Sequence, residues 1–325
     1  MNKNKFTKNL EIKPFIPGNE ETIVNLLHTT FGISIATDFY RWRFLDNPAG
    51  PGICDLVWDG NKLCAHHGVT LVNIVCDGKE LRAGLGGTAM THPDYRGQGL
   101  FTTLYKRAVA RMISEGLILF YAFPNSASHP LIVDKLGFID IYEVPKFSLN
   151  FRNRRQRTAD RSDKYIEELK KFDERFDRLW FNAGKEYRVI VKRDSRYLNW
   201  RFVLNPIAQY RILSYSHQSD LLGYAVLKQY NQELQIVDLL TVPQTDIGLA
   251  LVTRAIDIAQ EESLESVSMW LNPANPLHIE LERLGFKPGA PVVYFGGKVL
   301  NSSSPDSPFY SYRNWHLMMS DSDVF

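Results

Sequence analysis

Long apolar runs are missing from this chain. No uncharged stretch of about 18 apolar residues occurs, so nothing reads as a membrane span. Residues 1–10 carry lysines but no apolar block, so no signal peptide is expected. Cysteine is scarce: Cys54, Cys64 and Cys76 are an odd count without metal-ligand spacing. That argues against a disulfide framework, sets metal aside, and fits a reducing cytoplasm. Charge of one sign is not in excess either. With 38 Lys and Arg against 36 Asp and Glu, the formal net charge is +2, which removes the usual reason to expect nucleic acid or an acidic membrane as partner. Two phosphate-binding signatures are also absent, the Gly-Lys-Ser/Thr that ends a P-loop and the dinucleotide Gly-x-Gly-x-x-Gly. What remains is ordinary for a globular protein, 44% hydrophobic and 23% charged. A length of 325 residues suggests two domains rather than one α+β domain.

The stretch at residues 90–104 says most about function. An apolar run ends at Met90 and Thr91, a turn passes through His92, Pro93 and Asp94, and Arg96-Gly97-Gln98-Gly99 leads into an amphipathic helix pattern. Strand, glycine turn and helix start is the order that points free backbone N–H groups at an anion. Around it the periodicity predicts strands at 10–15, 53–58, 63–75, 81–91, 117–123 and 138–151, and helices at 20–30, 37–45, 98–115 and 128–136. Asp59-Gly60 and Asp77-Gly78 mark hairpins, and the nearly all-apolar 117–123 should be buried on both faces. Gly137 is placed to end a helix.

The chain then repeats itself. Trp42-Arg43-Phe44 with Asn47-Pro48 recurs as Trp200-Arg201-Phe202 with Asn205-Pro206. Thr91-x-Pro93 recurs as Thr241-x-Pro243, and Leu136-Gly137-Phe138 as Leu284-Gly285-Phe286. Order and spacing are kept, so two copies of one domain are expected. The second copy has Gln244-Thr245-Asp246-Ile247-Gly248 where the first has the arginine and two glycines, and Asp246 would repel a phosphate. The expected division is a ligand-binding domain at 1–151, a basic linker and helix at 152–184, a degenerate copy at 185–300 and a tail at 301–325. The basic segment 152–161 reads as solvated linker. The aromatic tail should dock back onto the domains.

With Arg96-Gly97-Gln98-Gly99, Phe123-Pro124-Asn125 and Lys135-Leu136-Gly137-Phe138, the chain resembles the GNAT superfamily of acyltransferases. More narrowly it is similar to bacterial tandem-GNAT proteins grouped with acetyltransferases of surface-polysaccharide clusters. Trp-Arg-aromatic-x-x-Asn-Pro and Thr-His-Pro-x-Tyr-Arg-x-x-Gly-x-Phe carry that likeness. The resemblance implies an α/β (α+β) fold of two tandem GNAT-like domains, each a mixed, mostly antiparallel twisted sheet flanked by helices. It implies acetyl-CoA as acyl donor. Ala89, Met90 and Thr91 would contact pantetheine through the main chain. The N–H groups of Arg96, Gly97, Gln98, Gly99, Leu100 and Phe101 would bind pyrophosphate with help from the helix dipole. Thr102 and Thr103 would add hydroxyls, and Asn125 would bond the pantetheine amide or cap the next helix. Phe101 departs from the family's usual third small residue.

Acyl transfer also needs a base, an acid for the leaving thiolate and a donor for the thioester oxygen. The resemblance places that donor in the backbone bulge at 86–89. Where the family has a tyrosine acid, this chain has Val133, so His129, one turn earlier, is a substitute acid or base. Asp321, Asp323 and the Phe325 carboxylate are further base candidates, because some tandem-GNAT acetylases use a C-terminal carboxylate. His66 and His67 read as core histidines, and Arg43 and Arg201 as sharing a structural role. The expected acceptor is a small amine or amino-sugar bound between the halves. Two alternatives stay open: a Fem-type aminoacyl-tRNA-dependent transferase, against which the missing coiled-coil arm counts, and a non-catalytic CoA-binding module.

Overall fold

A strand and two helices lead into hairpins with tight turns. A computed structural model describes residues 9–151, 164–301 and 306–323. The first half runs β1 (Leu10–Pro14), α1 (Glu20–Phe31), α2 (Thr37–Phe44), β2 (Ile53–Asp59), β3 (Lys62–Cys76), β4 (Lys79–Thr91), α3 (Leu100–Ser114), β5 (Leu119–Ala122), α4 (His129–Leu136) and β6 (Ile139–Asn150). Asp77 and Gly78, both at positive φ, form the two-residue loop between β3 and β4. In α3 the buried Leu100, Leu104, Ala108 and Met112 recur every four residues, so one stripe faces the sheet. Gly137, at φ 74°, ends α4.

The second half follows the same order. It comprises β7 (Ile166–Leu169), α5 (Glu174–Ala183), β8 (Val189–Val191), α6 (Ser195–Leu198), β9 (Arg211–His217), β10 (Asp220–Tyr230), β11 (Glu233–Thr241), α7 (Thr245–Glu261), β12 (Ser266–Met269), α8 (Leu277–Arg283), β13 (Lys287–Val299) and, in the tail, β14 (Trp315–His316). The expected basic linker at 152–161 lies outside the described residues. The helix expected before residue 184 is α5.

The halves are not two separate sheets. All strands join one 14-stranded mixed sheet whose main path runs β1-β2-β3-β4-β5-β13-β6-β12-β11-β10-β9-β7. The closing strands have changed places. β13 lies antiparallel to β5, from Val299 opposite Leu119 to Gly296 opposite Ala122. β6 lies antiparallel to β12, from Asn150 opposite Ser266 to Phe147 opposite Met269. The expectation that 138–151 would close the first half is therefore corrected. β5 and β12 are equivalent edges in two copies of one fold, so a closing strand of either copy completes either edge. Local patterns carry no information about which one it takes.

The repeated Trp-Arg-Phe elements meet at the junction. Trp42 and Trp200 stack with centroids 4.9 Å apart. Trp42 Nε1 donates to the Trp200 carbonyl at 2.7 Å and Trp200 Nε1 returns the bond to the Trp42 carbonyl at 2.9 Å. Such reciprocity is what a pseudo-two-fold relation between two copies requires. The tail is core rather than fringe, since Phe309, Tyr312, Trp315, Leu317, Met318 and Met319 are all buried. At about 1.5–3 kcal/mol for each large apolar side chain removed from water, this docking stabilises the fold substantially.

Candidate active site

β4 and β5 run parallel and are paired from Ala83 opposite Leu119 to Gly86 opposite Ala122. There the pairing stops, while β4 continues to Thr91 held by β3 alone. Past Gly86 the edge of β4 that faces β5 has no strand partner, and a wedge opens. A bulge lies at the vertex. The β3–β4 register slips between His66 and Gly68, and Thr88 sits at φ 55°, a conformation costly for a β-branched residue. His66 holds it in place, with Nδ1 2.7 Å from the Thr88 carbonyl and Nε2 3.0 Å from the Tyr40 hydroxyl. One tautomer satisfies both contacts: Nδ1–H donates and Nε2 accepts. Burial pushes the His66 pKa down to about 4 and that of His67 to about 3, so both rings stay neutral. Both are buried, on opposite faces, because helices cover the sheet on both sides. His66 meets Tyr40 and Phe44, whereas His67 meets Phe101, Tyr105 and Phe120.

Ala89, Met90 and Thr91 form the free stretch of β4. The Met90 side chain packs into the core, while Ala89 and Thr91 are half-buried. Beyond them, the Tyr95 hydroxyl donates to Asp59 at 2.6 Å and anchors the turn. Arg96, Gly97, Gln98 and Gly99 are all exposed. Gly97 and Gly99 both lie at φ 74°, and an added Cβ at either would meet nothing within 4 Å, so the backbone borders open space. The first helical bond of α3 runs from Thr103 N–H to the Gly99 carbonyl at 3.0 Å. The N–H groups of Gly97, Gln98, Gly99, Leu100, Phe101 and Thr102 thus have no acceptor among the described residues. A row of free donors at the positive end of a 15-residue helix is suited to an anion of the size and charge of a pyrophosphate. The Phe101 ring turns toward His67 and Tyr105. The Thr103 hydroxyl bonds the Gly99 carbonyl at 3.1 Å, so it serves the helix.

A second cavity, of about 120 Å³, opens at the vertex between the halves. Leu85 and Tyr121, a cross-strand pair at the end of the β4–β5 ladder, line it together with Arg43, Arg201, Lys228 and Asp323. Gly87 lets these groups come close to the β4 backbone, since a Cβ there would overlap the Arg43 guanidinium and the Asp323 carboxylate and make them shift. The Asp323 side chain keeps one-fifth of its surface exposed, and burial raises its carboxyl pKa against the opposing pull of Arg43.

The other base candidates fare differently. Asp321 is buried in an ion pair: Arg193 Nη2 reaches its two oxygens at 3.0 and 2.8 Å, and the Met318 N–H donates to it at 2.8 Å. That carboxylate is engaged in holding the tail. His129 places Nε2 2.8 Å from Asp140 and stacks on Tyr294 with centroids 3.9 Å apart. It does not line the cavity that holds Asp323. Asn125 uses its side-chain oxygen to cap the following turn, accepting from the Ala127 and Ser128 N–H groups at 3.1 and 3.0 Å. Phe325 lies outside the described residues. Lys228 carried no sequence signal. Arg43 carried one, its place in the repeat, which reads equally well as structural.

The second half has its own wedge. β11 and β12 pair in parallel only from Glu233 opposite Ser266 to Ile236 opposite Met269. The tail fills much of what lies beyond. His316 Nε2 is 3.0 Å from the Leu239 carbonyl, and Asn272 donates to the carbonyls of Tyr312 and Trp315 at 2.6 and 3.0 Å. A cavity of about 410 Å³ remains beside Gln244, Gly248 and Asn272. Its helix start carries Asp246 in the first turn and no glycine pair. Among the described residues no group of three or more His, Cys, Asp or Glu is arranged to hold a metal, and no helix is long and apolar enough to cross a membrane.

Residues 11–139 match the sequence family described as "Acetyltransferase (GNAT) domain". No curated protein matches the chain. Among solved structures, it resembles a probable N-acyltransferase from Enterococcus faecalis V583 at 14% identity and TM-score 0.69, covering 90% of this chain and 73% of that one. A tandem GNAT protein from the clavulanic acid biosynthesis pathway aligns at 13% identity and TM-score 0.59, covering 91% of this chain and 100% of that one. N-myristoyltransferase from Saccharomyces cerevisiae, solved with bound myristoyl-CoA, aligns at 12% identity and TM-score 0.61 over 89% and 78% of the two chains. At these identities the structures speak to the fold alone. Residues 11–139 thus match a GNAT acetyltransferase domain by sequence, and the chain shares its fold with tandem-GNAT structures.

Proposed function

We propose that the protein is an acetyl-CoA-dependent N-acyltransferase of a small amine or amino-sugar, with CoA held by the first half and the acceptor bound between the halves. The observation that carries this is the row of unpartnered N–H groups from Gly97 to Thr102, at the start of α3 and next to the unpaired edge of β4. Those donors, with Arg96 beside them, hold the pyrophosphate. The free main chain of Ala89, Met90 and Thr91 lines the pantetheine arm as an added strand would. When bound, acetyl-CoA supplies an acyl group activated as a thioester.

The chain's own part is to place the amine and remove its proton. Asp323 lies at the vertex of the wedge with a raised carboxyl pKa, suited to accept that proton. The bulge at 86–89, fixed by His66, supplies backbone N–H toward the acyl oxygen. Calorimetric titration with acetyl-CoA tests the cofactor reading. Wild type should bind, and Gly99→Glu, which puts a carboxylate side chain and φ strain into the cradle, should bind at least tenfold more weakly. No binding by the wild type would overturn the assignment. Binding without thiol release on any amine would favour a CoA-holding module, consistent with Val133 at the tyrosine position.

A further inference from the structure

The cavity between the halves carries more positive charge than its carboxylates neutralise. Arg193 bridges Asp238 and Asp321 in a closed, buried cluster. Arg201 donates to the Ser320 carbonyl and lies in the field of Asp238. That leaves Arg43 and Lys228 against the single carboxylate of Asp323. Arg43 is buried, its Nε donates to the Thr70 hydroxyl at 3.0 Å, and its Nη2 has no hydrogen-bond partner among the described residues. Asp323 Oδ2 is 3.7 Å from that Nη2, close enough for attraction but outside hydrogen-bond reach. Lys228 lines the same cavity with no carboxylate within 4.0 Å among the described residues. A buried cationic donor left without its hydrogen bond is costly, so a site that keeps one is built for an anion.

The remaining walls mix apolar and aromatic side chains, among them Phe39, Trp42, Trp200 and Ile207, with the polar Thr70, Asn205 and Ser320. The volume of about 120 Å³ is close to that of an engineered cavity, roughly 150 Å³, that holds one benzene. We infer that the acceptor is a small amine bearing a carboxylate, of the amino-acid type, with the carboxylate on Arg43 Nη2 and Lys228 and the amine toward Asp323. A guanidinium and a carboxylate facing each other across 3.7 Å complement an amine and a carboxylate joined through one carbon. The same surplus charge repels polycationic amino-sugars. This narrowing rests on the acyltransferase reading above.

Calorimetric titration of the full chain, with and without CoA, compares leucine and glycine with isoamylamine, methylamine and glucosamine. The amino acids should bind at least tenfold more tightly than their decarboxylated counterparts. Lys228→Gln should weaken amino-acid binding about fivefold and leave the simple amines unmoved. Arg43→Gln should abolish the preference, and Arg43→Lys should restore part of it. Should the buried Arg43 variants fail to fold, the half-exposed Lys228 still decides. Equal binding of amine and amino acid, tighter binding of glucosamine, or binding of none of them would overturn the inference. Acetyl-CoA titration is read separately, so a failed cofactor assignment and a failed acceptor class are distinguishable.

Discussion

In the proposed reading, Asp323 carries the chemistry of the site and His66 holds its geometry. Asp323→Asn keeps the shape but cannot take a proton. It should lower kcat by about 10²–10⁴-fold, with acetyl-CoA affinity unchanged by calorimetry. Because burial raises the Asp323 pKa, the acid limb of the wild-type pH–rate profile should lie above the ordinary carboxylate range and vanish in the variant. His66 acts through position. Its native pKa of about 4 lies below the unfolded value near 6.5, so the unfolded chain binds more protons between those values. The stability this ring confers is complete above about pH 6.5 and is lost as pH falls toward 4, on the order of 3 kcal/mol, with His67 adding in the same direction. Denaturant midpoints measured from pH 7 to pH 4 should fall, and should fall less steeply in His66→Gln. The backbone features of the candidate site were legible in the sequence, namely the glycine turn before α3 and the bulge at 86–89, because each has a local signature. The tail carboxylates were legible only as a group, because chain order says nothing about which one meets a cation in the core. Asp321 and Asp323 are two residues apart and both line the cavity, yet Asp321 is locked by Arg193 whereas Asp323 stays partly exposed, 3.7 Å from Arg43.

At the level of elements, strands and helices followed directly from periodicity and turn chemistry, since those signals are local. α3 begins at Leu100, two residues after the start that the pattern predicts, because Gly99 at positive φ forms its cap. The short strands β7 and β8 went unread: three or four residues carry no period, and they exist because neighbouring edges need partners. α2 and its repeat show how an element can serve two ends. The stacked Trp42–Trp200 pair joins the halves while the adjacent Arg43 and Arg201 line the cavity. Trp200→Phe keeps the stacking surface but strips a buried carbonyl of its donor. It should cost about 1–3 kcal/mol by denaturant titration, whereas Trp42→Ala, which also leaves a void, should cost about 3–5 kcal/mol.

For the whole molecule, the exchange of β6 and β13 dominates. A fragment of residues 1–151 leaves β5 without β13 and offers β6 with no β12 to bind, so alone it should aggregate or stay unfolded. Co-expressed with residues 164–325, it should co-purify as a complementing pair. Calorimetry on the intact chain should show one cooperative transition rather than two. Two self-sufficient fragments would contradict that coupling. The exchange also sets an order of events during synthesis. The first half emerges from the ribosome early but cannot be completed then, because its missing strand and the carboxylate at its vertex are encoded far downstream. On the proposed reading, catalytic competence therefore arrives in one step, late in translation. On that reading, a chain cut short before β13 should yield an inert product rather than a half-enzyme with its site open.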